Sequence, residues 1–183
     1  MMRIQNRWIP QNSKAMKNNI VLIGMPGVGK STVGVVLAKA LGYHFVDTDL
    51  VIQQTEGKLL CELIEEHGTD GFLAIENRVN ASLQAQKSVI ATGGSAVYGQ
   101  QAMEHLKQIG VVVYLKASYE QLEERLGNLK DRGVVLRPGQ SLEDLYQERS
   151  VLYEKYADII IDEDGRQIRE TVQMVRDALQ ADR

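Results

Sequence analysis

The residues that could do chemistry begin with the run Gly24-Met25-Pro26-Gly27-Val28-Gly29-Lys30-Ser31-Thr32, which has the spacing G-x-x-x-x-G-K-[ST]. It follows the apolar segment Ile20–Ile23 and opens a helical pattern, the context this spacing requires. Gly24, Gly27 and Gly29 let the backbone curl so that its N–H groups point inward at phosphate oxygens, and the start of the next helix adds positive potential. Lys30 would reach the β- and γ-phosphates, and Ser31 would give a hydroxyl to Mg²⁺. The candidate phosphate ligands are therefore Gly27, Val28, Gly29, Lys30, Ser31 and Thr32. A second feature, Asp47-Thr48-Asp49, ends the next apolar strand. In extended chain, residues i and i+2 project to one face, so both carboxylates are expected to aim together from the carboxyl end of a strand, where open α/β sheets bind ligands. One can orient Mg²⁺ while the other takes a proton from an acceptor hydroxyl. The competing reading is a strand-end turn that caps the following helix.

A phosphate loop by itself is shared by GTPases, ATPases and small-molecule kinases. The Asn-Lys-x-Asp pattern that reads a guanine base is absent. The only literal acidic strand end of the ATPase type, Ile159-Ile160-Ile161-Asp162, sits late and reads better as a final strand ending in a turn.

The elements that must position these residues alternate. Strands are expected at Ile20–Ile23, Phe45–Val46, Ser88–Ala91, Val111–Leu115 and Ile159–Ile161. Helical periodicity runs between them, through Val33, Val36, Leu37, Ala40 and Leu41, then Leu59, Leu63 and Ile64, and later Leu122 and Leu126. This is the pattern of an α/β fold, a five-stranded parallel sheet sandwiched in three α/β/α layers. The 183 residues, 44% hydrophobic and 25% charged, suit one globular domain, and the net charge of −3 argues against nucleic acid as a partner. No apolar run is long enough to cross a bilayer and the single cysteine, Cys61, permits no internal disulfide, so no membrane partner and a cytoplasmic location are expected. Residues 1–19, polar and carrying Arg3, Arg7, Lys14, Lys17 and Trp8, are expected to be a flexible extension, with the domain spanning 20–183 and Met16 standing just ahead of its first strand.

Taken together, the strand and GMPGVGKST, FVDTD, a helix with Phe72 and Glu76, ATGG, an arginine-containing lid and the late Arg149-x-x-x-Tyr153 resemble the shikimate kinase family over most of Ile20 to the C-terminus. The resemblance implies a P-loop, nucleoside-monophosphate-kinase-like fold that moves the γ-phosphate of Mg-ATP to the 3-hydroxyl of shikimate, a small-molecule substrate on the route to chorismate and the aromatic amino acids, with ATP and Mg²⁺ as cofactors and a monomer as the working unit. By position, Asp47 is similar to the family aspartate near Mg²⁺, beside Ser31. Asp49 is similar to the one that holds the acceptor hydroxyls and serves as base. Gly93 and Gly94 match the turn that approaches the acceptor. Arg125 resembles the adenine-stacking arginine. Arg132, catalytic with Lys30 and Asp49, resembles a lid arginine closing over the phosphate from a lid at about 128–141. Arg149 resembles the arginine that binds the shikimate carboxylate.

Three positions depart from the family pattern. Gly133 follows Arg132 where the family usually has proline. Ser95 stands where a third glycine is usual, as a pocket floor residue or a helix cap. Leu73 replaces the arginine that forms the other half of the carboxylate clamp. Arg78 lies too far around the helix to substitute. Either Lys58, Lys130 or Arg137 supplies the charge, or the acceptor is another hydroxy acid or polyol; an ATP-binding regulatory protein without transferase activity is a third reading. His44, His67 and His105 are too scattered for a metal motif, and Cys61 is expected in the core.

Overall fold

A computed structural model of the chain describes residues 17–126, 137 and 139–181. Residues 1–16, most of the expected lid, and with it Lys130 and Arg132, lie outside the described residues. Five strands, β1 (Asn19–Ile23), β2 (His44–Asp47), β3 (Ser88–Ala91), β4 (Gly110–Lys116) and β5 (Ile159–Asp162), form one parallel sheet in the order β2-β3-β1-β4-β5. Around it lie α1 (Lys30–Leu41), α2 (Thr48–Glu56), α3 (Leu60–Ala81), α4 (Gln100–Ile109), α5 (Tyr119–Leu126), α6 (Leu142–Tyr156) and α7 (Ile168–Ala181). The path from β1 to β2 runs one way across the sheet and that from β3 to β4 the other. Right-handed crossovers therefore place α1 and α4 on opposite faces, giving the expected three layers.

Because both faces are covered, the central strands read as continuous apolar runs. Val21, Leu22 and Ile23 of β1 and Val112 and Val113 of β4 are wholly buried. Each such side chain contributes roughly 1.5–3 kcal/mol on burial. Every expected strand is present, and most are a residue or two longer than the apolar pattern marked. The first begins inside the expected extension: Asn19 is buried in β1, its amide donating to the carbonyls of Ala85 and Ile109 while its oxygen accepts from Ser88 N–H. A polar residue there is held by the ends of three neighbouring segments, which hydrophobicity cannot reveal. No helix among the described residues is long and apolar enough to cross a membrane.

Two helices depart from the expected stripes. In α1 the buried face is Val33, Gly34, Leu37 and Ala38 with Lys30, whereas Val36 and Ala40 are exposed. Gly34 turns inward because the Phe45 ring occupies the space a side chain would need, its Cε2 2.7 Å from where a methyl on Gly34 would lie. In α3 the chain kinks at Gly68 (φ 68°), and Cys61, expected in the core, is exposed. Leu63 faces inward instead, and two residues along a helix rotate Cys61 to the far side.

Candidate active site

The carboxyl ends of β1, β2 and β3 meet where the chain leaves β1 in one direction and β4 in the other, the usual ligand crevice of an open α/β sheet. The loop after β1 uses positive φ at Gly24 (147°), Gly27 (79°) and Gly29 (102°), conformations that a side chain strongly disfavours. Val28 beneath it is buried, and Ser31 and Thr32 open α1 on the exposed side. Lys30 is buried, its ammonium donating to the carbonyls of Gly24 at 2.7 Å and Met25 at 2.9 Å. Burial lowers its pKa to about 8, opposed most by the nearby charge of Asp49. The loop is thus wrapped around its own cation.

Asp47 and Asp49 do converge on this loop, but not as alternate residues of a strand. β2 ends at Asp47, which caps α2 by accepting from Asp49 N–H at 3.0 Å. Asp49 is in the first helical turn, because the buried Thr48 between them turns inward and its hydroxyl accepts from Gly93 N–H at 3.3 Å. The capping role and the chemical role share the same residues. Asp47 also accepts from the Ser31 hydroxyl at 2.9 Å. A neutral hydroxyl and a carboxylate oxygen, both hard donors, suit Mg²⁺, which takes few protein ligands and completes its shell with water and phosphate. Among the described residues no cluster of three or more His, Cys, Asp or Glu side chains forms a cation cage of its own. Burial, reinforced by the charge of Asp47, raises the pKa of Asp49.

Gly93 and Gly94 follow β3 and touch both halves of the site. A methyl on Gly93 would lie 2.5 Å from Glu76 Oε1 and 2.8 Å from Asp49 Oδ1; one on Gly94 would lie 2.7 Å from the Pro26 ring and 3.1 Å from Arg149 Nη1. Neither position has room for a side chain. Arg149 is buried rather than a surface ion-pair residue, on the same helix face as Leu145 and Tyr153. Its Nε donates to the Tyr98 hydroxyl at 3.3 Å, with the guanidinium 5.2 Å from the centre of that ring. Tyr153 donates to the Gly94 carbonyl at 2.7 Å and stacks on Tyr114 at 5.0 Å, fixing the turn from below.

Ser95 is neither a bare floor nor a side-chain cap. Its hydroxyl donates to Glu76 Oε2 at 2.6 Å, while Glu76 Oε1 is buried with no hydrogen-bond partner among the described residues. Burial pushes Glu76 up to about 7 against the pull of that bond, and the charge of Asp49 pushes the same way as burial. Arg125 donates from Nη1 to Glu163 at 2.8 Å and to the Val28 carbonyl at 3.3 Å, which ties it to the phosphate loop. Burial raises the pKa of Glu163. Tyr98 and Glu163 carry no local motif and enter only through contacts between distant segments, whereas Tyr153 belongs to the Arg149-x-x-x-Tyr153 pattern. The remaining candidates lie elsewhere. His44 and His67 are exposed, and His105 bonds the Leu83 carbonyl. A groove of about 440 Å³ between Lys17, Tyr43 and Leu179 lies at the opposite, amino ends of the strands.

A family model described as shikimate kinase matches residues 26–180. "Shikimate kinase 2" of Yersinia enterocolitica is 37% identical over 154 residues, 80% of this chain and 87% of the relative. Among solved structures, shikimate kinase from Acinetobacter baumannii in complex with shikimate superposes with a TM-score of 0.81 at 33% identity, over 92% of this chain and 96% of that one. Shikimate kinase from Aquifex aeolicus gives 0.76 at 30% identity, over 90% and 97%.

Proposed function

The chain belongs to the shikimate kinase family, and on that premise we propose that its acceptor is shikimate, phosphorylated on the 3-hydroxyl. It is an ATP-dependent phosphotransferase acting on a hydroxyl group, with ATP and Mg²⁺ as its cofactors. The observation that supports shikimate is the meeting, beside the phosphate loop, of Asp49, the bare Gly93-Gly94 turn and the buried Arg149. Between them they offer a proton acceptor, close backbone and a cation for a carboxylate, the three groups a hydroxylated acid needs. The Acinetobacter relative, whose structure contains shikimate, shares the fold along almost its whole length.

In the proposed mechanism the loop amides of Gly27, Val28 and Gly29, with Lys30, would hold the β- and γ-phosphates, and Ser31 and Asp47 would hold Mg²⁺. Bound there, Mg²⁺ would supply charge neutralisation at the phosphate oxygens. Arg149 anchors the carboxylate and Gly93-Gly94 floors the ring, so that the acceptor hydroxyl lies against Asp49. As its oxygen bonds to the γ-phosphorus and the bond to the ADP oxygen breaks, Asp49 takes the hydroxyl proton. Arg125, held beside the phosphate loop by Val28 and Glu163, is assigned to the adenine, and Arg132, outside the described residues, to the charge of the transferring phosphoryl group.

An ADP-release assay with shikimate tests this. Saturable turnover at micromolar to millimolar shikimate supports the reading. Turnover only on other hydroxy compounds overturns the acceptor and favours the second reading, which Leu73 motivates: a kinase of the same fold for a different hydroxy acid or polyol.

A further inference from the structure

The acceptor site holds a buried cation for a carboxylate, Arg149, and has an apolar residue, Leu73, where a second cation would complete a clamp. A single arginine serves a carboxylate best when its planar fork is already aimed, because a guanidinium that swings freely must be ordered when the ligand arrives. We propose that Tyr98 is a positioning residue for the acceptor, holding the Arg149 guanidinium with its ring and its hydroxyl together so that the Nη side of the fork faces the Gly93-Gly94 turn. The inference rests on the reading of the site as one for a carboxylate-bearing acceptor.

Three observations carry it. First, Tyr98 meets one guanidinium twice: its hydroxyl accepts from Arg149 Nε at 3.3 Å, and its ring centre lies 5.2 Å from the guanidinium carbon. These contacts engage Nε and one face of the fork. Nη1 lies 3.1 Å from where a methyl on Gly94 would stand, so the other side of the fork is directed at the turn that floors the acceptor. Second, Tyr98 stands on a fixed base. Ala96–Tyr98 form one turn of 3₁₀ helix directly after the Gly93-Gly94 turn, with Ala96 and Val97 buried and Tyr98 N–H donating to the Ser95 carbonyl at 3.0 Å. Both ends of this turn are held by α3. Ser95 donates to Glu76, and Gly99 packs so closely on Asn77 that a methyl there would lie 2.6 Å from its Oδ1. Burial raises the pKa of the Tyr98 hydroxyl against the opposing hydrogen bond and charge of Arg149, and its proton is turned to Glu148, the residue before Arg149. The hydroxyl thus stays neutral and keeps a lone pair for Nε. Third, Tyr98 and Leu73 line the same groove of about 390 Å³, so the ring supports Arg149 from the side on which position 73 offers no charge. Two other cations near α3 are engaged elsewhere: Lys58 is paired with Glu66, and Arg78 with Glu56 at 2.8 Å.

The test compares shikimate with its analogue in which the carboxylate is reduced to an alcohol, using wild type, Y98F, Y98L, R149K and the double variant Y98F/R149K. Y98F keeps the ring and removes the hydroxyl, and KM for shikimate should rise about three- to tenfold. Y98L removes both contacts, and the rise should reach about ten- to a hundredfold. In each, kcat changes less and KM for Mg-ATP is unaltered. For the alcohol analogue, wild type and Y98F should be alike. Lysine lacks the Nε–H of the fork, so Y98F should cost little further in the R149K background. An unchanged shikimate KM in Y98F, an equal loss with the analogue, or a Y98F loss of undiminished size in R149K overturns the inference. Wild-type turnover only of uncharged polyols overturns both the inference and the shikimate reading. Turnover of a different carboxylate-bearing acceptor, with the same KM rise in Y98F, overturns shikimate alone and upholds the inference.

Discussion

The nucleotide half and the acceptor half of this crevice are built on different principles. The proposed nucleotide half is centred on one strand, one loop and one helix in immediate succession, with a lysine held by the loop's own carbonyls, and Asp47 and Arg125 join it from β2 and α5. The acceptor half draws Asp49 from α2, Glu76 from α3, Gly93-Gly94 from the end of β3 and Arg149 from α6. Its geometry depends on packing among segments that are distant in sequence. A site made of contiguous backbone tolerates drift elsewhere in the chain, whereas a site made of converging side chains changes whenever one contributor does. Leu73, Ser95 and Tyr98 lie in the second kind.

The contrast can be tested first at Asp49, whose charge acts on Lys30 in one half and on Glu76 in the other. Asp49→Asn removes the base but keeps the shape, and kcat should fall about a hundred- to ten-thousandfold. Mg-ATP affinity, measured by calorimetry, should change little; unchanged turnover would remove Asp49 from its role. Next in size, Gly93→Ala pushes a methyl against the Glu76 and Asp49 carboxylates. Steady-state kinetics should show KM for the acceptor raised about tenfold or more, against a near-normal KM for Mg-ATP. Equal damage to both would show that the two halves are not separable.

Glu76 gives a pH test confined to the acceptor half. Its folded pKa is raised to about 7 from an ordinary 4.5 by burial, so the folded protein binds the proton more tightly than the unfolded chain. The stability this contributes is complete below about pH 4.5 and is lost as pH rises through about 7, by up to about 3 kcal/mol. Glu76→Gln cannot ionise, so the difference in unfolding free energy between wild type and variant should shift in the variant's favour between pH 5 and pH 8. A pH-independent difference would mean that the carboxyl ionises freely in the fold. The smallest effect is expected at the exposed Cys61. Cys61→Ser should alter stability by no more than about 0.5 kcal/mol and leave both KM values unchanged.

Much of the fold is legible in the sequence because parallel strands buried on both faces announce themselves as short β-branched runs between helical periods. Helix faces are less legible. Val36 and Ala40 look as apolar as Val33 and Leu37, and only the Phe45 ring packed against Gly34 decides which way α1 is turned. Asp47 and Asp49 stand out for their chemistry, but the strand geometry expected of them is wrong, since a helix start and a strand end look alike in a triplet of turn-forming residues. Arg149 is recognisable through its spacing to Tyr153, yet its burial follows from sharing a helix face with Leu145 and Tyr153 under the Gly94 turn.

The sequence by itself determined the phosphate loop, because glycine placement and a following lysine dictate a backbone conformation within a few residues. It also determined the layered sheet, through periodicity, and the absence of arginine at position 73. Only the tertiary structure decided that Ser95 binds Glu76, that Arg125 is held by Glu163, and that Tyr98 accepts from Arg149. The three pairs are 19, 38 and 51 residues apart, and none belongs to a shared helix or strand period. Their meeting depends on how the crossovers stack the helices on the sheet, and side-chain charge and burial follow from that stacking.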